Sequence, residues 1–294
     1  MMVWGTAAAI ASAVSYGVNP LGALKLYELD YGPISVLLFR FAYASIALFF
    51  WIFLAREKFF LDRREMIATA GLGVLFAASS ITFYYSFQSL GAGLASTLVF
   101  LYPIFVAILM CLFFREGFSW RLSCAMILAI GGVALLANAG GSKVTVAGLL
   151  MAGASALAYA LYIVSLRQLK LKAALIPSTF WSMFFTFFVI CIYAGATDPS
   201  AFQLPRGVAD VGWGLFLGVC PSLVSLVMLS FALKRIGPTP TAIYGALEPP
   251  SAVLIGCLVF GEPFSLKIGI GIALVLASVA IVILKSAVRR RPTG

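Results

Sequence analysis

Long apolar runs alternate with short polar junctions along the whole chain. The runs lie at roughly 3–26, 33–55, 65–88, 91–114, 120–139, 146–170, 175–195, 209–233, 238–260 and 264–286. Each is close to the ~20 residues that a helix needs to cross the hydrocarbon core of a bilayer. Strands of a membrane barrel would alternate polar and apolar positions. Here the apolar character is continuous, so the pattern predicts an all-α integral membrane protein of ten transmembrane helices. The junctions are too short to hold a soluble domain, so the work must be done inside the bilayer.

Composition agrees with that pattern. The 294 residues are 63% hydrophobic and 10% charged, with mean hydropathy +1.08. A soluble domain carries about 25% charged residues. The net charge of +10 would suit nucleic acid only if it were clustered. Instead the Lys and Arg residues stand at the ends of the runs, where they set orientation in the membrane, and no nucleic-acid partner is expected. With the N-terminus inside, 15 of the 20 Lys and Arg face the cytoplasm, 4 face outward, and Arg40 lies within a span. That bias predicts both termini on the cytoplasmic side.

Five cysteines (Cys111, Cys124, Cys191, Cys220, Cys257) all lie in apolar runs, and the chain has no His. No metal and no cofactor are expected from that set; such cysteines serve as small packing residues. Ala11-Ser12-Ala13 looks like a leader cleavage site. However, no basic residue precedes it and the apolar run continues past it, so the segment is read as a true span.

An internal repeat is visible. Residues 95–119 read ASTLVFLYPIFVAILMCLFFREGFS, and residues 241–265 read TAIYGALEPPSAVLIGCLVFGEPFS. Pro103 and Pro249 are 146 apart, as are Glu116 and Glu262, Phe118 and Phe264, Ser119 and Ser265, and Gly91 and Gly237. ASAVSYG at 11–17 matches ASALAYA at 154–160 with an offset of 143. The chain therefore divides into halves at 1–141 and 142–294, the second ending in a short basic tail. Five spans per half is an odd number, so the second half is expected to enter the membrane upside down. Inverted-topology repeats of this kind support alternating access around a central cavity near the bilayer midplane.

FRFAYASIAL at 39–48, the block around Tyr102-Pro103 ending in Arg115-Glu116, and Leu247-Glu248-Pro249 ending in Gly261-Glu262-Pro263 resemble the drug/metabolite transporter superfamily. The match is to its EamA-type ten-span members and covers nearly the whole chain. Within the superfamily the chain is most similar to the bacterial inner-membrane amino acid exporters of the YddG type. The resemblance implies a multi-pass protein of the bacterial inner membrane. It also implies a basket in which spans one to four of each half surround the cavity while each fifth span lies outside.

Glu248 is the leading candidate for solute binding. It lies about ten residues, or roughly 15 Å, into the ninth span, the middle of a ~30 Å core. A carboxylate there must face a cavity or a partner, or be protonated. It reads either as a ligand for a solute's amine or as a structural, hydrogen-bonded Glu. Pro249 and Pro250 remove two amide donors beside it and leave carbonyls free.

Arg40 reads either as a bidentate ligand for a solute's carboxylate or as a side chain snorkelling to the headgroups. Tyr102 is the repeat partner of Glu248, each preceding a Pro, and Tyr244 lies one turn before Glu248. Ser79, Thr82, Phe83 and Ser86 share a face of span three; Ser222 and Ser225 do the same on span eight. Tyr159 and Trp181 are candidate aromatic walls. For any one of these, helix packing is the bland alternative.

Asn19-Pro20 interrupts the first span and, with Pro103 and Pro249, is a candidate hinge. Gly131, Ala134 and Ala137 of span five and Gly269, Ala273 and Ala277 of span ten form small-residue faces. These serve equally for packing the outer helices in a monomer or for making a homodimer.

Nothing reads as an enzyme, and no G-x-x-x-x-G-K-[ST] loop is present to bind ATP. The expected function is a secondary transporter exporting small metabolites, amino acids (aromatic ones among them) above all, by alternating access, with the lipid bilayer as its surroundings. The rivals are a multidrug or organic-cation exporter and, from another class, a lipid flippase or channel-like pore.

Overall fold

The computed structural model describes residues 2–114, 120–139, 144–169, 174–236, 241 and 244–288. All regular structure among them is helical. The elements are α1 (Met2–Gly17), α2 (Asn19–Glu28), α3 (Pro33–Ala55), α4 (Arg63–Leu90), α5 (Ala92–Val99), α6 (Tyr102–Phe114), α7 (Trp120–Ala139), α8 (Val146–Leu169) and α9 (Leu175–Thr197). Then follow α10 (Val208–Gly218), a π-helical turn at Val219–Val224, α11 (Ser225–Ile236), α12 (Glu248–Phe260) and α13 (Leu266–Val288). Seven helical stretches are long and apolar enough to cross a membrane, among them Val3–Glu28, Ala92–Phe114 and Val208–Leu229, each of which runs through a break. Three more apolar helices are shorter: Ser123–Leu136, Glu248–Phe260 and Leu266–Ile281.

The breaks fall where the chain removes amide donors. Val18 leaves helical geometry at ψ 1° just before Asn19-Pro20. Between α5 and α6 the chain turns at Phe100-Leu101, and Pro103 has no N–H to bond back to Val99. Before α12 the chain turns at Ala246-Leu247, and Pro249 and Pro250 offer no amide to the two carbonyls a turn earlier. Tyr102 and Glu248 are thus each the first residue of a half-helix.

The longest helix contacts run between the two halves of the chain: α4 lies along α8, α1 along α11 and α7 along α13. The first two share one device. Ser12 Oγ donates to the Ser225 carbonyl (2.9 Å) and Ser225 Oγ donates to the Ser12 carbonyl (3.0 Å). Ser79 Oγ donates to the Ser155 carbonyl (3.1 Å) and Ser155 Oγ donates to the Ser79 carbonyl (2.8 Å). The sequence offsets relate the two clasps, since 143 carries Ser12 to Ser155 and 146 carries Ser79 to Ser225. The same offsets relate two close approaches: Gly5 against Arg235 and Ile236, and Gly148 against Ser89 and Leu90. In both places a side chain would strike the neighbouring helix.

The α7–α13 contact corrects the small-residue faces. Gly132 and Gly271 make the close crossing, with Leu136 and Val275 fully buried beside them. Gly131 has open space around it, and Ala273 and Ala277 face outward. The packed stripe is out of register with the expected one, by one residue at Gly132 on α7 and by two at Gly271 on α13, with the bulkier Leu136 and Val275 filling the groove that the glycines open. Of the repeat pairs, Glu116, Phe118, Ser119 and Gly237 lie outside the described residues.

Candidate functional site

Glu248 opens α12, and α1 fixes where it sits. A Cβ at Gly17 would lie 2.7 Å from Ser251 Cβ and 2.8 Å from the Glu248 carbonyl oxygen, so α1 and α12 touch there through backbone. The preceding residue, Tyr16, comes within electrostatic range of both Glu248 and Arg40. Tyr102 and Tyr159 also feel the Glu248 carboxylate and Tyr16. The Tyr102 and Tyr159 rings meet edge to face at 4.8 Å, and Tyr159 stacks on Tyr162 at 5.8 Å. Phe76 extends the wall, 5.2 Å from the Tyr162 ring. Glu248, Tyr16, Tyr102, Tyr159 and Tyr162 are all half-buried, so accessible space adjoins the group. It gathers residues from both halves of the chain.

Arg40 adjoins this group on α3. It is 1% exposed. Its guanidinium lies 5.3 Å from the Phe41 ring, 5.7 Å from Tyr84 and 5.9 Å from Tyr16. Nη1 donates to the Tyr84 hydroxyl at 3.3 Å, and that hydroxyl donates to Asn19 Oδ1 at 2.9 Å. The snorkelling alternative fails here, since snorkelling needs the charged head in water and this one is enclosed by three rings. Asn19, also 1% exposed, ties the α1–α2 break to α4.

The other predicted residues divide. Phe83 is buried beside Tyr84, their rings 6.2 Å apart. Ser79 and Ser225 are the halves of the two clasps. Thr82 Oγ1 donates to the Ala78 and Ser79 carbonyls, and Ser86 Oγ donates to Phe83 O. Ser222 reaches the Leu217 carbonyl at 3.5 Å. The hydroxyls of Thr82, Ser86 and Ser222 are thus engaged with carbonyls of their own helical segments. Tyr244 packs against Ala8, Ala9 and Ala232.

Trp181 is held elsewhere. Its Nε1 donates to Phe59 O at 2.8 Å, and its ring packs among Phe59, Phe60, Phe180 and Phe184. A cleft of about 270 Å³ near that cluster is lined by Phe49, Ile52, Phe53, Arg56, Glu57 and Phe59 and shares no residue with the Glu248 group.

Sequence reasoning missed Tyr16, Tyr84 and Tyr162. The signal for Tyr16 was present: the offset of 143 that aligns ASAVSYG with ASALAYA carries Tyr16 onto Tyr159, as 146 carries Tyr102 onto Glu248. Four of the group's members are therefore two repeat-related pairs. Tyr84 carries no such mark.

Among the described residues no group of His, Cys, Asp and Glu could hold a metal. The arrangement offers one carboxylate, one guanidinium and an aromatic wall within the helical bundle. This suits a small solute carrying both charges.

Known proteins match the chain along its length. The EamA-like transporter family matches residues 3–138 and again 146–284. An uncharacterized transporter of Archaeoglobus fulgidus is 26% identical over 281 residues, 94% of this chain and 98% of that one. A protein of Streptantibioticus cattleyicolor named a probable terminal-alkyne amino-acid exporter is 26% identical over 209 residues, 68% of this chain and 67% of its own. A crystal structure shares the fold with TM-score 0.63, covering 98% of this chain and 99% of the other at 18% identity.

Proposed function

The chain belongs to the EamA-like transporter family, and on that premise we propose that it exports small metabolites, amino acids above all, by alternating access between two inverted halves. It is a multi-pass membrane transporter and not an enzyme. The observation that carries the finer reading is the Glu248 carboxylate at the start of a half-helix, half-buried and within electrostatic range of Tyr16, Tyr102 and Tyr159. Discontinuous helices with their broken ends at a solute site are a recurring device of secondary transporters. The ammonium group of an amino acid would meet Glu248, and its side chain would lie along the tyrosine wall.

The two halves are read as 1–141 and 142–294, with five spans each and both termini in the cytoplasm of a bacterial inner membrane. The paired serine clasps support that reading, because each joins a helix of one half to a helix of the other at repeat-related positions. With no nucleotide-binding loop in the sequence, the drive is a solute gradient or a coupled ion. The exporter among the relatives acts on an amino acid by its printed name, which favours that class over organic cations.

Flux of labelled amino acids into proteoliposomes tests this, with Glu248→Gln alongside. Saturable flux that drops about tenfold or more in Glu248→Gln, a loss of at least ~1.4 kcal/mol, is expected. Movement of a quaternary ammonium with no amino acid flux would replace this reading with a cation exporter. Unsaturable conductance would replace it with a pore.

A further inference from the structure

We propose that the free edge of Arg40 is an oxyanion receptor that takes the carboxylate of the transported solute. The inference rests on the reading above, in which the solute binds beside Tyr16 and Glu248.

A guanidinium has five N–H donors in one plane and stays charged in proteins. In this one Nη1 is engaged with Tyr84 and the Tyr16 hydroxyl also acts on the guanidinium, while neither Nε nor Nη2 has a hydrogen bond of good geometry. Those two nitrogens form one side of the fork, and their parallel N–H bonds match the two oxygens of a carboxylate. Deprotonation cannot relieve the cost of burying them.

The surroundings favour the same ligand. Asn19 Nδ2 is also buried without a partner, whereas Asn19 Oδ1 is satisfied by Tyr84. Every unsatisfied atom of the Arg40–Tyr84–Asn19 network is therefore a donor, and what completes it must be an acceptor. No carboxylate among the described residues lies within ion-pair distance of Arg40. Glu248, the nearest charge that acts on the site, is felt only at longer range. The rings of Phe41, Tyr84 and Tyr16 lie around the guanidinium and hold its plane. A buried cation whose Nε–Nη2 edge lacks an acceptor, with a carboxylate at longer range, complements a zwitterion. The solute class is accordingly the α-amino acid and not the simple amine.

The test uses the full-length chain in detergent and in proteoliposomes with five probes: L-phenylalanine, L-phenylalaninamide, phenethylamine, benzoate and chloride. Phenylalanine and benzoate are expected to raise the melting temperature saturably. The amide and the amine should need about tenfold or more higher concentration for the same effect. Arg40→Lys keeps the charge and loses the fork; it should weaken both carboxylates by a similar factor and leave phenethylamine unchanged.

Equal stabilisation by phenylalanine and its amide in the wild type overturns the proposal, and this comparison holds even if Arg40→Lys does not fold. Chloride acting as well as benzoate also overturns it, by giving the edge to an inorganic anion. Arg40-dependent benzoate binding without flux of any amino acid would retain the receptor and sink the export reading instead.

Discussion

Tyr84 makes the buried charge on α3 tolerable. Its one hydroxyl accepts from Arg40 Nη1 and donates to Asn19 Oδ1, so Tyr84→Phe strands a donor and an acceptor at once. Buried polar groups left unpaired cost about 1–3 kcal/mol. The variant is expected to melt several degrees lower, measured by a thermal scan in detergent, with the helical content of the folded state unchanged. Glu248 and Arg40 were legible in the sequence because a charge inside an apolar run is costly and therefore conspicuous. Tyr16 and Tyr84 were not, because a tyrosine in such a run is chemically compatible with plain packing. Only their neighbours reveal the polar task. Trp181 shows the converse: an aromatic residue that looked like a wall of the solute site is anchored to the loop carbonyl of Phe59.

At the scale of elements, one helix start is held by a side chain distant in sequence. The Glu262 carboxylate accepts from Ala92 N at 2.6 Å and Gly93 N at 3.2 Å, closing the N-terminus of α5. Gly91, at φ 78°, makes the turn before it and leaves room for that carboxylate, which a Cβ would meet at 2.6 Å. Glu262→Ala removes both bonds and is expected to cost about 0.5–2 kcal/mol, read as a fall in melting temperature that Glu262→Gln partly restores. The serine clasps make a paired prediction. Interhelical hydrogen bonds in membranes average about 0.6 kcal/mol each, so Ser12→Ala with Ser225→Ala should cost roughly 1 kcal/mol. Ser79→Ala with Ser155→Ala should cost about the same, since the two clasps occupy equivalent places. A large difference between the two double variants would argue against equivalent halves.

For the whole molecule, the proposed pair of inverted five-span halves requires both chain ends on one face of the membrane. Single cysteines introduced at residue 2 and near residue 290, in a chain freed of its five native cysteines, should be labelled from the cytoplasmic side by a membrane-impermeant maleimide. Labelling of the two ends from opposite faces would refute two five-span halves.

Apolar continuity, the placement of Lys and Arg, and the two-copy pattern were in the sequence alone, because hydrocarbon imposes its demands on each run locally and a duplication preserves spacing. From these follow the helices, the membrane, the family likeness and the two charges worth attention. Which face each helix turns to its neighbours was decided only in three dimensions. Gly132 and Gly271, not Gly131 and Gly269, make the α7–α13 crossing, and Tyr16 is brought between Arg40 and Glu248 by helices far apart in the chain. In a run that is apolar all round, no periodicity marks the buried side, so that choice is left to the packing of the helices against one another.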